Sequence, residues 1–159
     1  MLNTQISLRK TIKSDLDFLF QFQLDEHAIY LAAFTPKNPA DKEAYIEKYS
    51  KHIADPTINT QTILVDGVIA GSIAKFEMRG DAEITYWLDK ALWGKGIATT
   101  ALKNFLDIER TRPIFGRVAF DNFGSQRVLE KCGFVKTGED KGFANARQTE
   151  IKEFIYKLI

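Results

Sequence analysis

The run Trp93-Gly94-Lys95-Gly96-Ile97-Ala98-Thr99-Thr100 sets two glycines and a lysine between a strand-like stretch and a helix-like one. A turn of that composition leaves backbone N–H groups bare at a helix N-terminus, where unpaired donors and the helix dipole together attract phosphate oxygens. The ligand implied is a pyrophosphate. Upstream, Ala82-Glu83-Ile84-Thr85-Tyr86-Trp87-Leu88 is β-branched and aromatic, as a strand requires. Downstream, Ile97, Ala101, Leu102, Phe105 and Leu106 fall at helical spacing. Two familiar nucleotide loops share this layout, and neither is spelled here. No glycine stands at the required distance before a Gly-Lys-Ser/Thr end, and threonine occupies position 99, where Gly-x-Gly-x-x-Gly needs its last glycine.

A second segment follows. Arg117-Val118-Ala119-Phe120 reads as a strand end, and Asp121 to Phe134 as a short helix with Asn122 as N-cap, an apolar stripe of Val128, Leu129 and Cys132, and Gly133 at the left-handed C-terminal position. Taken together, Gly94-x-Gly96-x-Ala98 and Asn122-x-x-Ser125 with Leu129-Glu130-Lys131-x-Gly133-Phe134 resemble the two linked signatures of the GNAT superfamily of N-acetyltransferases, in wording closest to its RimJ/RimL-like branch. The first signature is usually written Gln/Arg-x-x-Gly-x-Gly/Ala. Trp93 stands where Gln or Arg is usual, so one side-chain donor is missing and the backbone amides must do the holding.

The resemblance implies acetyl-coenzyme A as co-substrate, no metal, and transfer of acetyl to a primary amine by direct attack on the thioester. The amine is a protein N-terminus or a small molecule. A coenzyme A-binding module without transfer activity, acting as a sensor or partner, is the alternative. By the same resemblance the pantetheine arm lies in a gap between Tyr86-Trp87-Leu88 and Val118-Ala119-Phe120, and Trp93, Gly94, Lys95, Gly96, Ile97, Ala98 and Thr99 surround the diphosphate. Asn122 is expected to bond a pantetheine amide, the Ser125 hydroxyl to bond the sulfur, and Arg127 and Lys131 to reach phosphate from one helical face. Glu83 is the candidate base, with Glu77 in reserve, and Tyr30, Phe34 and Phe76 are candidates for the acceptor pocket.

The elements needed to position these groups are legible. At 159 residues, with 45% hydrophobic and 27% charged residues, one compact domain over 1–159 is expected. Strands are expected near 5–12, 60–65, 68–77, 83–88, 114–120, 134–140 and 148–158, and helices from about 15, over 41–54, from 97 and after 122. That order, βααβββαβαββ, is the GNAT order: an α/β fold with a mixed, mostly antiparallel sheet of about seven strands flanked by helices. Net charge is only +1, which argues against a general nucleic-acid binder, although Gly94 to Gly133 carries seven basic and four acidic residues. No apolar run reaches the ~20 residues of a spanning helix, and Met1 to Gln5 does not open an export signal, so a cytoplasmic location without membrane contact is expected. Oligomeric state is open between monomer and homodimer. The lone Cys132 reads as a packed thiol, and His27 and His52 have no metal-ligand partners at useful spacing.

Overall fold

The computed structural model describes residues 4–159, so part of the Met1 to Gln5 reading lies outside the described residues. The chain forms β1 (Ile6–Lys10), α1 (Leu16–Phe22), α2 (Glu26–Ala32), α3 (Lys42–Ala54), β2 (Asn59–Val65), β3 (Val68–Met78), β4 (Asp81–Leu88), α4 (Ile97–Ile108), β5 (Ile114–Ala119), α5 (Phe123–Lys131), β6 (Val135–Ala144) and β7 (Thr149–Leu158). One seven-stranded sheet runs β1-β2-β3-β4-β5-β7-β6. Among the described residues β4 and β5 are the parallel pair and every other pairing is antiparallel. The expected architecture holds, with one correction. A helix, α2, occupies the segment that the sequence order left between its first two helices. Asp25 caps it, its side chain accepting from Ala28 N–H at 2.8 Å.

Period-two alternation sorts the sheet residues between two faces. Ile63, Ile73, Ile84 and Leu88 point to the face covered by Ala101, Leu102 and Phe105 of α4 and Leu129 of α5, and together these form the main core. α5 sits hard against β5 because Gly116 has no side chain: a Cβ there would lie 2.9 Å from Leu129 Cδ2. The opposite face meets the N-terminal helices. Trp87 Nε1–H donates to Phe22 O at 3.0 Å, fastening the end of α1 to β4. The β2–β3 turn is the expected Asp66-Gly67 pair, with φ of 50° and 81° as a primed hairpin turn requires.

A buried polar knot fixes the first strand to α1. Asp15, only 2% exposed, takes both terminal nitrogens of Arg9 at 2.7 and 2.8 Å, the Ile12 N–H at 3.0 Å and the Thr62 hydroxyl at 2.9 Å. Burial pushes the Asp15 carboxyl up, but Arg9, Ile12 and Thr62 together outweigh it and hold it below its ordinary value. Its contribution to stability is therefore complete above about pH 3.9, the unfolded value, and is lost as pH falls through the lowered native one. Asp15→Ala removes the carboxylate partner of Arg9, the Ile12 N–H and the buried Thr62 hydroxyl together and should cost about 3 kcal/mol in urea unfolding at neutral pH. The cost should shrink on acidification.

Candidate active site

β4 and β5 pair only through Ala82 with Ile114, Glu83 with Phe115, and Ile84 with Gly116. Beyond Ile84 the two strands part. The gap continues into a cavity of roughly 570 Å³ lined by Tyr86, Trp87 and Leu88 of β4, by Trp93, Gly94, Gly96, Ala98 and Thr99 of the glycine turn, and by Asn122, Ser125, Arg127, Val128 and Lys131 around α5. Two signatures almost thirty residues apart in sequence thus face each other across one hollow. A further wall comes from Ala28, Leu31 and Ala32 of α2, three residues whose i, i+3, i+4 spacing places them on one helical face.

The turn has the geometry of an anion cradle. Gly94 and Gly96 both have φ of 76°, a left-handed conformation that costs a residue with a Cβ about 1 kcal/mol, and open space lies where either Cβ would stand. Gly96 is the N-cap of α4. Helical bonding starts with Thr100 N–H to Gly96 O at 3.1 Å, so the amides of Ile97, Ala98 and Thr99 have no acceptor within the helix. The residues therefore fit a diphosphate held by main-chain donors. Trp93 takes a different part from the Gln or Arg it replaces: its indole N–H donates to Leu88 O at 3.0 Å, tying the loop back to β4. Arg127 and Lys131 line the cavity, while Lys95 is exposed outside it and the Ile97 side chain is 4% exposed in the main core. Ile97 can serve a ligand through its amide alone.

At the head of α5, Asn122 accepts from Ser125 N–H at 3.3 Å as N-cap and donates to Leu31 O at 3.3 Å, which leaves its second amide hydrogen for a ligand. Ser125 Oγ lies 2.6 Å from the Tyr86 hydroxyl. Cys132 is partly buried behind this helix with Sγ 3.5 Å from Thr99 O, and burial pushes its thiol up. It is placed as a packed, protonated thiol.

The residues expected at the acceptor do not line this cavity. Glu83, 5% exposed, does not line the cavity; Arg117 Nε–H donates to its Oε2 at 3.2 Å, and Arg117 also bonds Glu153 at 3.1 Å and Asp140 at 3.4 Å. Burial pushes the Glu83 carboxyl above its ordinary value, against the opposing pull of Arg117 and with a further push from Glu153 and Asp81. Phe76 stands opposite Glu83 in the β3–β4 register, hence on the same sheet face. Thr85, two residues on, shares that face and is exposed in a central strand, at the point where β4 loses its partner. Nothing in the local sequence marks Thr85; its exposure comes from the parting of the strands. Tyr30, Phe34 and Phe76 lie outside the cavity. The Arg147 guanidinium covers the Tyr30 ring at 3.8 Å, and Phe34 packs over Gly142. The α2 residues that do reach the cavity are aliphatic: Ala28, Leu31 and Ala32.

A second hollow lies between Lys103, Asp107, Arg110, Arg112, Cys132 and Leu158. Its Arg112 is given over to the carbonyls of Leu106, Glu109 and Thr111 at the end of α4. Among the described residues no three His, Cys, Asp or Glu side chains group as a metal-ion site. Nor is any described helix long and apolar enough to cross a membrane.

The acetyltransferase (GNAT) domain family matches residues 5–135. The chain belongs to that family. Its relatives include YdaF of Bacillus subtilis, which carries a provisional ribosomal N-acetyltransferase name and is 29% identical over 117 residues, covering 67% of this chain and 64% of its own. YjcK of the same organism, with a provisional N-acetyltransferase name, is 41% identical over 81 residues, 46% of this chain and 45% of its own. The chain thus spans less than two thirds of either relative. Among solved structures, the GNAT fold is shared with RimL, a ribosomal L7/L12 α-N-protein acetyltransferase in complex with coenzyme A, at a TM-score of 0.84 and 20% identity over 97% of this chain and 93% of that one. A spermidine N-acetyltransferase from Vibrio cholerae, in complex with CoA and spermine, superposes with a TM-score of 0.79 at 24% identity, covering 96% and 95%.

Proposed function

We propose that the protein is an acetyl-coenzyme A-dependent N-acetyltransferase that moves acetyl onto a primary amine, either a small molecule or a protein N-terminus, by direct attack. The observation that carries this reading is the single cavity in which the free amides of the Gly94–Thr99 turn, the unpaired edge of β4 and the head of α5 converge. Its shape suits a long ligand with an anionic middle. The turn amides hold diphosphate, Arg127 and Lys131 supply cationic charge beside it, Asn122 bonds an amide of the arm, and the open edges of β4 and β5 offer backbone partners in between.

The thioester then lies near Thr85 and Tyr86, where the strands begin to part. A neutral amine approaching from the Thr85 face attacks the carbonyl carbon, the C–S bond breaks, and its electron pair goes to sulfur. Ser125 Oγ is the candidate hydrogen-bond donor to that sulfur. Glu83, on the approach face, is the candidate base for the amine proton, directly or through one water. RimL and the spermidine enzyme act on a protein N-terminus and a polyamine respectively, and both acceptor classes fit an approach past the carboxylates Glu83, Glu153 and Asp140.

Purified protein incubated with acetyl-coenzyme A and a panel of amines, including spermidine, free amino acids and peptides with unblocked N-termini, should release free thiol in an amine-dependent way. Saturable coenzyme binding without thiol release from any amine would replace this reading with that of a binding module.

A further inference from the structure

The one short hydrogen bond inside the cavity that the mechanism above leaves unused joins Tyr86 to Ser125, from β4 across to α5. A serine hydroxyl has one proton and two lone pairs, and in a helix that proton readily turns back to a carbonyl one turn earlier. A serine meant to donate to a ligand needs something to stop that. We propose that Tyr86 is a positioning residue for Ser125: the phenol donates to Ser125 Oγ, filling one lone pair and leaving the serine's own proton directed at the coenzyme's sulfur.

The direction of the bond follows from the surroundings. Among the described residues the acceptors within reach of the Tyr86 hydroxyl both belong to Ser125, Oγ at 2.6 Å and the carbonyl at 3.4 Å. Burial pushes the phenol up to about 12, so it keeps its proton across the neutral range and is available as a donor. Both partners are rigidly held. Ser125 N–H is bound to the Asn122 cap, and α5 is pressed onto β5 through Gly116 and Leu129. No proton passes along the pair in the reaction: the amine loses one, the sulfur ends with one, and solvent carries the difference. Tyr86 and Ser125 only stabilise the charge on sulfur while the C–S bond breaks.

This inference rests on the transfer reading, and the experiment separates the two. Wild type, Tyr86→Phe, Ser125→Ala and the double variant are compared in steady-state turnover. In parallel, coenzyme A bound to each protein is titrated by thiolate absorbance, which needs no acceptor. Tyr86→Phe should lower kcat about tenfold with KM for acetyl-coenzyme A within about twofold, and the double variant should be no slower than Ser125→Ala alone. The bound thiol should ionise at lower pH in wild type than in either single variant, which should agree with each other. A Tyr86→Phe protein with unchanged kcat, a loss that persists undiminished in the Ser125→Ala background, or a bound thiol whose titration ignores both changes would overturn the proposal. Wild type that shifts the thiol yet turns over no amine would instead overturn the transfer reading and leave the hydrogen bond standing.

Discussion

Gly96→Glu should weaken acetyl-coenzyme A binding by at least about 100-fold in calorimetric titration, while the protein stays folded. Two effects act in the same direction. The residue caps α4 with φ of 76°, so any side chain there is strained, and nothing within 4 Å of the new Cβ would resist it sterically, which protects the fold from gross disruption. The carboxylate then stands among the amides of Ile97, Ala98 and Thr99, where it competes for the donors meant for phosphate and repels the diphosphate itself. A unit charge a few ångströms from another near a protein surface is worth up to about 4 kcal/mol, and 1.4 kcal/mol is a factor of ten. Gly96→Ala separates the contributions: it carries strain without charge and should cost no more than about fivefold. An affinity in the glutamate variant equal to that of wild type would show that the turn does not hold the ligand.

Glu83→Gln should lower kcat about 100-fold, the ordinary worth of a general base, with KM for acetyl-coenzyme A little changed because Glu83 is outside the cavity. The pH profile carries the decisive information. With its carboxyl raised by burial, wild type should lose turnover on acidification at a higher pH than an unperturbed glutamate would give. The glutamine variant should lack that limb and recover partly at alkaline pH, as more of the amine is neutral. Stability moves differently. A raised native value means that whatever Glu83 adds to folding is complete below about pH 4.3 and falls as pH rises through that native value. Arg117 keeps Glu153 and Asp140 as partners in the variant, so its midpoint at neutral pH should be no lower than that of wild type. A kinetically silent substitution would move the base to solvent or to another side chain.

What could be read from the chain alone was what is written locally. The strand Asp81–Leu88, the turn and α4 are contiguous, and their β-branched run, glycines and helical stripe each announce themselves within a dozen residues. The Asn122 cap and the Gly133 stop likewise bracket α5 in plain sight. α2 escaped because it is seven residues long and its cap, Asp25, follows directly on the preceding helical run. The surroundings of Glu83 could not be read either. Its partner Arg117 is 34 positions away and arrives only because β4 and β5 lie side by side, so the ion network around this carboxylate leaves no local signal. The aliphatic wall residues Ala28, Leu31 and Ala32 acquire meaning only once α2 is folded over the gap.

The parting of β4 from β5 leaves the inner edges of both strands, from Thr85 and Arg117 onward, without a neighbour in a sheet that is otherwise laddered on both sides there. A bare edge in the middle of a protein is normally a defect, because amides and carbonyls that lose water must find other partners. Here a guest with amide groups of its own can serve as the missing rungs, behaving for a few ångströms like a borrowed strand. If the coenzyme's arm fills that role, amide hydrogen exchange along both edges should slow when coenzyme A is added.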